Sequence, residues 1–184
     1  APAPAPEDRH VISLPPGAYT AQTAGAANGT GVALVEIYDA DPALVGTSTT
    51  TAPRLINTAV RAQVGTGANV LIPGLVVSEG AAKTVLIRAV GPGLTAFGVS
   101  GALAQPVVTL FAGSEAFVSN AGWNNAANAA EIRTTAARVG AFALAENSRD
   151  SALLVSLSPG PYTVQVSGAN ATSGVALVEV YEVP

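Results

Sequence analysis

The chain has no cysteine and no methionine, and it contains a single histidine. The absence of cysteine excludes disulfides and thiolate metal sites. The lone histidine, His10, lies beside a proline-rich N-terminal stretch, and no G-x-S-x-G nucleophile motif is present, so the sequence does not support a Ser-His-Asp triad. We therefore predict a protein that is not an enzyme, with no catalytic residue, no cofactor and no metal site.

Charged residues are also scarce, at 11% of the chain against about 25% in a typical domain. The eight Lys and Arg residues are scattered and the net charge is -4, which argues against a nucleic-acid partner. No apolar run reaches the roughly 18 to 20 residues of a membrane helix, so we expect no membrane insertion. So few charges suggest that identical neighbours bury part of the surface, although a surface of Ser, Thr, Asn and Gly is an equal alternative.

The sequence lacks an initiating methionine and opens with the stretch APAPAPEDR. Because proline fixes φ and donates no hydrogen bond, we expect residues 1–10 to form a stiff, extended tail. Such a start is compatible with the mature end left by signal-peptide cleavage. We predict an extracellular or cell-surface protein whose signal peptide has been removed.

The strongest internal signal is a duplication. Residues 13–38 read SLPPGAYTAQTAGAANGTGVALVEIY, and residues 156–181 read SLSPGPYTVQVSGANATSGVALVEVY. The two segments, here called the N-terminal copy and the C-terminal copy, align without a gap at an offset of 143, and 16 of 26 positions are identical. Similarity of this kind indicates a repeated supersecondary unit.

Each copy predicts two strands joined by a glycine-rich connection. In the C-terminal copy, Tyr162, Val164 and Val166 alternate with polar residues, which is the period of a strand with one buried face. The second strand, residues 175–181, is apolar on both faces, so we expect it to lie centrally in a sheet and to be covered on both sides. We interpret each copy as a β-hairpin.

Turn residues punctuate the rest of the chain into further short strands, predicted at residues 55–63, 69–77, 84–90, 107–111, 116–119 and 152–157. One Ala-rich stretch, residues 128–139, instead spaces its apolar residues at helical intervals. The predicted fold is all-β, an antiparallel, jelly-roll-like β-sandwich with one short helix near residues 126–139 and a duplicated β-hairpin. The predicted segments are a tail (1–10), an orphan hairpin (11–39) that copies residues 154–182, a Thr-rich linker (40–53) and a β-sandwich module (54–184).

Two motifs, VLIRAVGP in residues 85–92 and GVALVEVY in residues 174–181, carry a resemblance. With the stretch RLINTAVR that begins at Arg54, they resemble a tandem β-rich module of large secreted proteins from Verrucomicrobia-like environmental bacteria. Residues from Val107 onward are also similar to bacterial pre-peptidase C-terminal β-sandwich domains. The resemblance implies a surface module with no catalytic residues to carry over, in which the hairpin closes each module.

An isolated hairpin is marginal in water, so the N-terminal copy is expected to pack either on its own domain or on a neighbouring subunit. Docking on a neighbour is a head-to-tail contact, which propagates into a filament unless it closes into a ring. Strand addition to a sheet edge is a known mode of such assembly. We predict a structural subunit of an extracellular homopolymeric filament or surface layer, with these interface residues: Val11, Leu14, Tyr19, Val32, Leu34, Val35, Ile37 and Tyr38.

The alternative is a monomeric secreted module that binds surface glycans or a partner protein, including as an accessory domain of a larger secreted protein. Its candidate ligand or calcium residues are Asn120, Trp123, Asn124 and Asn125. The structural alternative is that the asparagines cap turns and a helix, and that the only Trp is a core anchor. Candidate glycosylation sites are the sequons at Asn28 and Asn170 and the linker residues Thr49, Thr50 and Thr51.

Glu36 and Glu179 occupy equivalent positions in the two copies, among apolar neighbours. A paired-carboxylate hydrolase would need both in one cleft, and the duplication explains their recurrence more simply. We expect each glutamate to pair with an arginine such as Arg61 or Arg88 in a structural ion pair.

Overall fold

The computed structural model describes residues 10–40 and 54–184. Contacts divide the chain into two units, the second of which runs from Ile56 to Pro184. Nearly all of the predicted tail and linker, including Thr49, Thr50 and Thr51, lies outside the described residues. Within the described ranges, no helix is both long enough and apolar enough to cross a membrane.

The second unit is an antiparallel β-sandwich, which confirms the predicted fold class. Its strands are β1 (Asn57–Val64), β2 (Gly74–Val77), β3 (Lys83–Val90), β4 (Pro106–Ala112), β5 (Glu115–Asn120), β6 (Ser151–Leu157), β7 (Gly160–Gly168) and β8 (Gly174–Glu182). One four-stranded sheet has the order β1-β8-β3-β6, and the other has the order β2-β7-β4-β5. Short 3-10 helices occupy Gly67–Asn69, Pro92–Phe97, Trp123–Asn125 and Ala169–Ala171.

The main core lies between the two sheets and is built from the alternate residues that the strand period turns inward. Val164 and Val166 of β7 face Ala176 and Val178 of β8 across this core, and all four are buried. Strand β3 is buried at every position from Val85 to Val90 because it is central and covered on both faces. The near-continuous apolar runs of β3 and β8 follow from that placement.

A second core covers the outer face of the first sheet. The helix α1 (Ala129–Arg138) confirms the predicted short helix and places Ile132 against Trp123. From the sheet, Leu86, Ala152 and Tyr181 complete this cluster. Strand β8 is therefore central and covered on both sides, as its sequence predicts.

The predicted hairpin is wrong in one respect, because β7 and β8 do not pair with each other. Strand β7 pairs with β2 and β4, whereas β8 pairs with β1 and β3 in the opposite sheet. The connection after Gly168 thus carries the chain from one sheet to the other, which makes the C-terminal copy a β-arch. A period of two shows which face of a strand is buried, but it does not show which strand lies beside it.

The predicted strand over residues 69–77 is also shorter in the structure. The chain forms a 3-10 turn at Gly67–Asn69 and a single bridge at Leu71 before β2 begins at Gly74. Pro73 lies directly before β2, where its missing N–H costs no ladder hydrogen bond. The short strand β2 lies at the edge of its sheet.

Candidate functional site

The N-terminal copy is exposed along its whole length. Residues 10–40 form no β-strand, and each of them is exposed. Val32 is 97% exposed and Leu34 is 82% exposed, whereas the equivalent Val175 and Leu177 are partly buried in β8. The same exposure holds for every predicted interface residue: Val11, Leu14, Tyr19, Val32, Leu34, Val35, Ile37 and Tyr38.

The connection of the N-terminal copy nevertheless has the local backbone of the arch. Ala27 and Asn28 have positive φ angles of 51° and 59°, and the equivalent residues of the C-terminal copy have 53° and 55°. The Gly29 N–H donates to the Ala26 carbonyl at 2.9 Å, as the Thr172 N–H does to Ala169 at 3.2 Å. The two copies thus share the backbone geometry of this turn, although the N-terminal copy is exposed.

Side-chain hydrogen bonds recur in the same way. The Tyr19 hydroxyl donates to the Pro15 carbonyl at 2.7 Å, and the Tyr162 hydroxyl donates to Ser158 at 3.0 Å. Tyr38 likewise donates to a Glu36 carboxylate oxygen at 2.9 Å. The N-terminal copy thus repeats the turn and the tyrosine hydrogen bonds of a segment that elsewhere in the chain fills two central strand positions, while its own apolar residues stay exposed.

In the C-terminal copy the duplicated glutamate, Glu179, is part of a buried ion pair. The Arg88 Nε lies 3.0 Å from a Glu179 carboxylate oxygen, and the arginine side chain is fully buried. The Arg88 Nη1 donates to the Phe142 carbonyl at 2.7 Å, and its guanidinium lies 4.4 Å from the centre of the Phe142 ring. The prediction that Glu179 meets an arginine is confirmed.

Tyr181 completes this cluster by donating its hydroxyl to the other Glu179 oxygen at 2.8 Å. Burial, together with this hydrogen bond and the nearby negative charge, raises the pKa of Tyr181 to about 12. The phenol therefore stays protonated and remains a donor to Glu179 over the ordinary pH range. The cluster lies beside the second core, of which Tyr181 is a member.

Glu36 reproduces half of this arrangement on an exposed segment. Its hydrogen bond with Tyr38 and its charge raise the pKa of the Tyr38 hydroxyl, as Glu179 does for Tyr181. No arginine pairs with Glu36 among the described residues. The expected arginine partner of Glu36 stays a prediction.

Among the strands that the structure describes, two sheet edges are unpaired on one side of the sandwich. Strand β1 ends the first sheet and β2 ends the second, and both are adjacent to the strands of the C-terminal copy. Val60 faces the core beside Val178, yet it is 38% exposed. Ile72 and Val76 are also exposed on the β2 side, at 56% and 77%. Unpaired edges with exposed apolar side chains are templates for strand addition.

Three of the four residues predicted for a ligand or calcium have side-chain hydrogen bonds within the protein. Trp123 is 2% exposed and donates from its indole to the Ala145 carbonyl at 3.2 Å. The Asn120 amide bonds to the backbone of Gly122 and Ala152, and Asn124 donates to the Glu146 carbonyl. These contacts are the structural alternative that the sequence left open, and ligand binding at these residues stays a prediction.

Asn124 and Asn125 line a polar depression of about 270 Å³ together with Gln105, Asn147 and Arg149. In the described part of the chain, no three His, Cys, Asp or Glu side chains come together as a metal site would require. The two sequon residues, Asn28 and Asn170, are both exposed at the arch connections, so attached glycan is sterically possible at each.

Sequence reasoning missed the role of Asp150. This buried carboxylate accepts hydrogen bonds from the Gly91 and Gly93 N–H groups at 2.7 Å and 3.1 Å, and its carbonyl accepts from Trp123 at 2.8 Å. It thereby ties the GPG turn after β3 to the segment before β6. An aspartate that directly follows the polar residues Asn147, Ser148 and Arg149 carries no sequence signal of burial.

The chain was compared with protein families, curated proteins and solved structures. No family model matches the chain, and no curated protein matches it. Among solved structures, it is similar to the pre-peptidase C-terminal domain of collagenase from Bacillus anthracis, with a TM-score of 0.41 and 13% identity over 68% of this chain and 89% of that chain. The β-sandwich assignment rests on the strand pairing described above.

Proposed function

We propose that this protein is a non-catalytic structural subunit of an extracellular filament or surface layer, in which the N-terminal copy of one molecule packs on a neighbouring molecule. One observation carries the proposal. A segment with 16 of 26 residues identical to two central strands is exposed at every residue, although the local geometry of its turn is already formed.

The energetic argument rests on the apolar side chains of that segment. Full burial of a Val, Leu or Ile side chain stabilises by about 1.5–3 kcal/mol, and the N-terminal copy exposes several of them. Large exposed apolar patches on proteins mark interaction sites. Because the donated segment and the accepting surface are different parts of the molecule, the contact is heterologous and adds subunits in one direction.

An extracellular location fits the composition, since the chain is poor in charge and free of cysteine and methionine. The resemblance to a tandem module of secreted bacterial proteins supports the same proposal. In such a protein the N-terminal copy stands where the closing arch of a preceding module would stand. The assembly proposed here uses the same segment between molecules.

Removal of the N-terminal copy is expected to abolish assembly. We expect sedimentation velocity to show species that grow with concentration for the full chain, and only monomers for a chain lacking residues 1–40. A chain lacking residues 1–9 is the matched control and should assemble like the full chain. The melting temperature of the sandwich should stay the same in all three, because its core lies within residues 57–182.

A full chain that stays monomeric at all concentrations would contradict the proposal. The remaining function would then be a monomeric module that binds surface glycans or a partner protein. Assembly that persists without residues 1–40 would show self-association through another surface and would also contradict the role of the N-terminal copy.

A further inference from the structure

We propose that the acceptor surface is the pair of free edges of β1 and β2 on a second copy of this chain, with Glu36 placed opposite Arg61. This inference rests on the proposed function and specifies its interface. The second half of the N-terminal copy adds to β1, and the first half adds to β2, so that one arch extends both sheets of the acceptor by one strand each.

The backbone of β1 offers a continuous free edge. The Ile56 carbonyl accepts from the Glu182 N–H at 2.9 Å, so Ile56 directs its polar groups towards β8. Since this direction alternates along a strand, Thr58, Val60 and Ala62 also point towards β8. The outward-directed N–H and C=O groups are those of Asn57, Ala59, Arg61 and Gln63.

The backbone of β2 offers a matching edge on the other sheet. The Pro73 carbonyl accepts from Val164 at 2.7 Å, and Leu71 exchanges hydrogen bonds with Val166. The alternation leaves Ile72, Gly74 and Val76 directed away from β7. The exposed side chains of Ile72 and Val76 therefore belong to the residues whose backbone groups are free.

The free edge of β1 resembles the edge that β3 presents to β8. In β3 the sequence Ile87-Arg88-Ala89 pairs with Val178-Glu179-Val180, with Arg88 directly opposite Glu179. The Val183 N–H donates to the Thr84 carbonyl at 2.9 Å. Because backbone hydrogen bonds alternate along an antiparallel pair, the backbones of Arg88 and Glu179 are also hydrogen-bonded to each other.

In β1 the sequence Val60-Arg61-Ala62 repeats this pattern, with the arginine again among the residues whose backbone points to the edge. In the N-terminal copy, Val35-Glu36-Ile37 corresponds to Val178-Glu179-Val180. The same register therefore places Glu36 opposite Arg61 and Ile37 beside the half-exposed Val60.

The charges of Glu36 and Arg61 support the register that places them opposite each other. Arg61 is exposed and has no ion-pair partner among the described residues, and Glu36 has no basic partner there. Opposite charges directly across an antiparallel pair stabilise it, whereas like charges oppose it. The contact would give Glu36 the arginine partner that its equivalent Glu179 has in Arg88.

The direction of the two strands is also suitable. Strand β8 is antiparallel to β1, and β7 is antiparallel to β2. The N-terminal copy would lie outside β1 and β2, two strand positions from the C-terminal copy of the acceptor. In that position its two strands run antiparallel to β1 and β2, and the same side chains face the core. A single docking movement therefore satisfies both edges.

The N-terminal copy fits less well in the position that the acceptor's own C-terminal copy occupies. The fully buried Val164 and Val166 correspond to Ala21 and Thr23, which would leave cavities and an unpaired hydroxyl in the core. At an edge these smaller residues leave no closed cavity, because the inward face there is open to solvent, as the 38% exposure of Val60 indicates.

The test combines charge reversal with a backbone block, read by sedimentation of the full chain. We expect Glu36→Arg and Arg61→Glu each to raise the concentration needed for assembly by about fivefold, and the double variant to return to within about twofold of the unmodified chain. Ala59→Pro removes one outward N–H and should raise that concentration by roughly tenfold or more. Ala59→Val keeps the N–H and is the matched control.

The outcomes separate this interface from the proposed function. If deletion of residues 1–40 abolishes assembly but Ala59→Pro and the charge reversals leave it unchanged, the proposed function stands and this interface is wrong. If the charge variants weaken assembly but the double variant does not recover it, Glu36 and Arg61 do not pair. If the full chain never assembles, both proposals fail. Circular dichroism melting of each variant verifies that the sandwich is intact.

Discussion

Replacement of Arg88 by alanine is expected to destabilise the sandwich by about 3–5 kcal/mol, because it leaves the Glu179 carboxylate buried without its positive partner. The substitution also removes the contact of the guanidinium with the Phe142 ring and the hydrogen bond to the Phe142 carbonyl. Urea unfolding followed by Trp123 fluorescence measures the loss, since this indole lies in the neighbouring core.

Two further variants isolate the cause. The double variant Arg88→Met with Glu179→Leu removes both charges and should recover most of the lost free energy of unfolding. Glu36→Gln changes the equivalent glutamate on the exposed N-terminal copy and should leave the free energy of unfolding unchanged within about 0.5 kcal/mol. A loss below about 1 kcal/mol for Arg88→Ala would mean that the ion pair contributes nothing to the fold.

The second large effect is expected at the glycine that opens each arch connection. A Cβ added at Gly168 would lie 2.1 Å from the Thr172 carbonyl oxygen, and one added at Gly25 would lie 1.9 Å from the Gly29 carbonyl oxygen. Both glycines have negative φ angles, so the obstacle is the close backbone approach and not the backbone conformation. Alanine at either position therefore forces the two backbone segments of the connection apart.

The consequences should differ because only one arch belongs to the folded core. We expect Gly168→Ala to lower the free energy of unfolding by about 2–4 kcal/mol, since β7 is central in one sheet and β8 is central in the other. Gly25→Ala should leave thermal unfolding unchanged and weaken assembly. Each variant is the control for the other, and equal losses of stability would show that the N-terminal copy is part of the same cooperative unit.

The sequence predicts well those strands and helices whose apolar residues follow a clear local periodicity. The strands around Val85 and Val108, the helix over residues 129–138 and the two-sided burial of β8 all follow from apolar periodicity and turn residues. The pairing of Glu179 with an arginine follows from a lone carboxylate in an apolar strand, which must be compensated where it is buried.

What sequence reasoning misses depends on contacts between distant parts of the chain. The difference between a hairpin and an arch is set by which strands lie beside β7 and β8, and both arrangements produce the same alternation. Asp150 bonds to Gly91 and Phe142 bonds to Arg88, each between 50 and 60 residues away in the sequence. No local sequence pattern predicts these contacts. The free edges of β1 and β2 likewise become visible only once the strand order is known.

Hydrogen exchange measured by peptide-level mass spectrometry, at low and high protein concentration, tests most directly whether neighbours bury the N-terminal copy. We expect amides of residues 17–38 to exchange freely in the dilute monomer and to become protected as assembly proceeds, while β3 is protected throughout. Amides that stay unprotected in assembled material would contradict the account. Amides already protected in the dilute monomer would also contradict it, because the N-terminal copy would then pack within its own molecule.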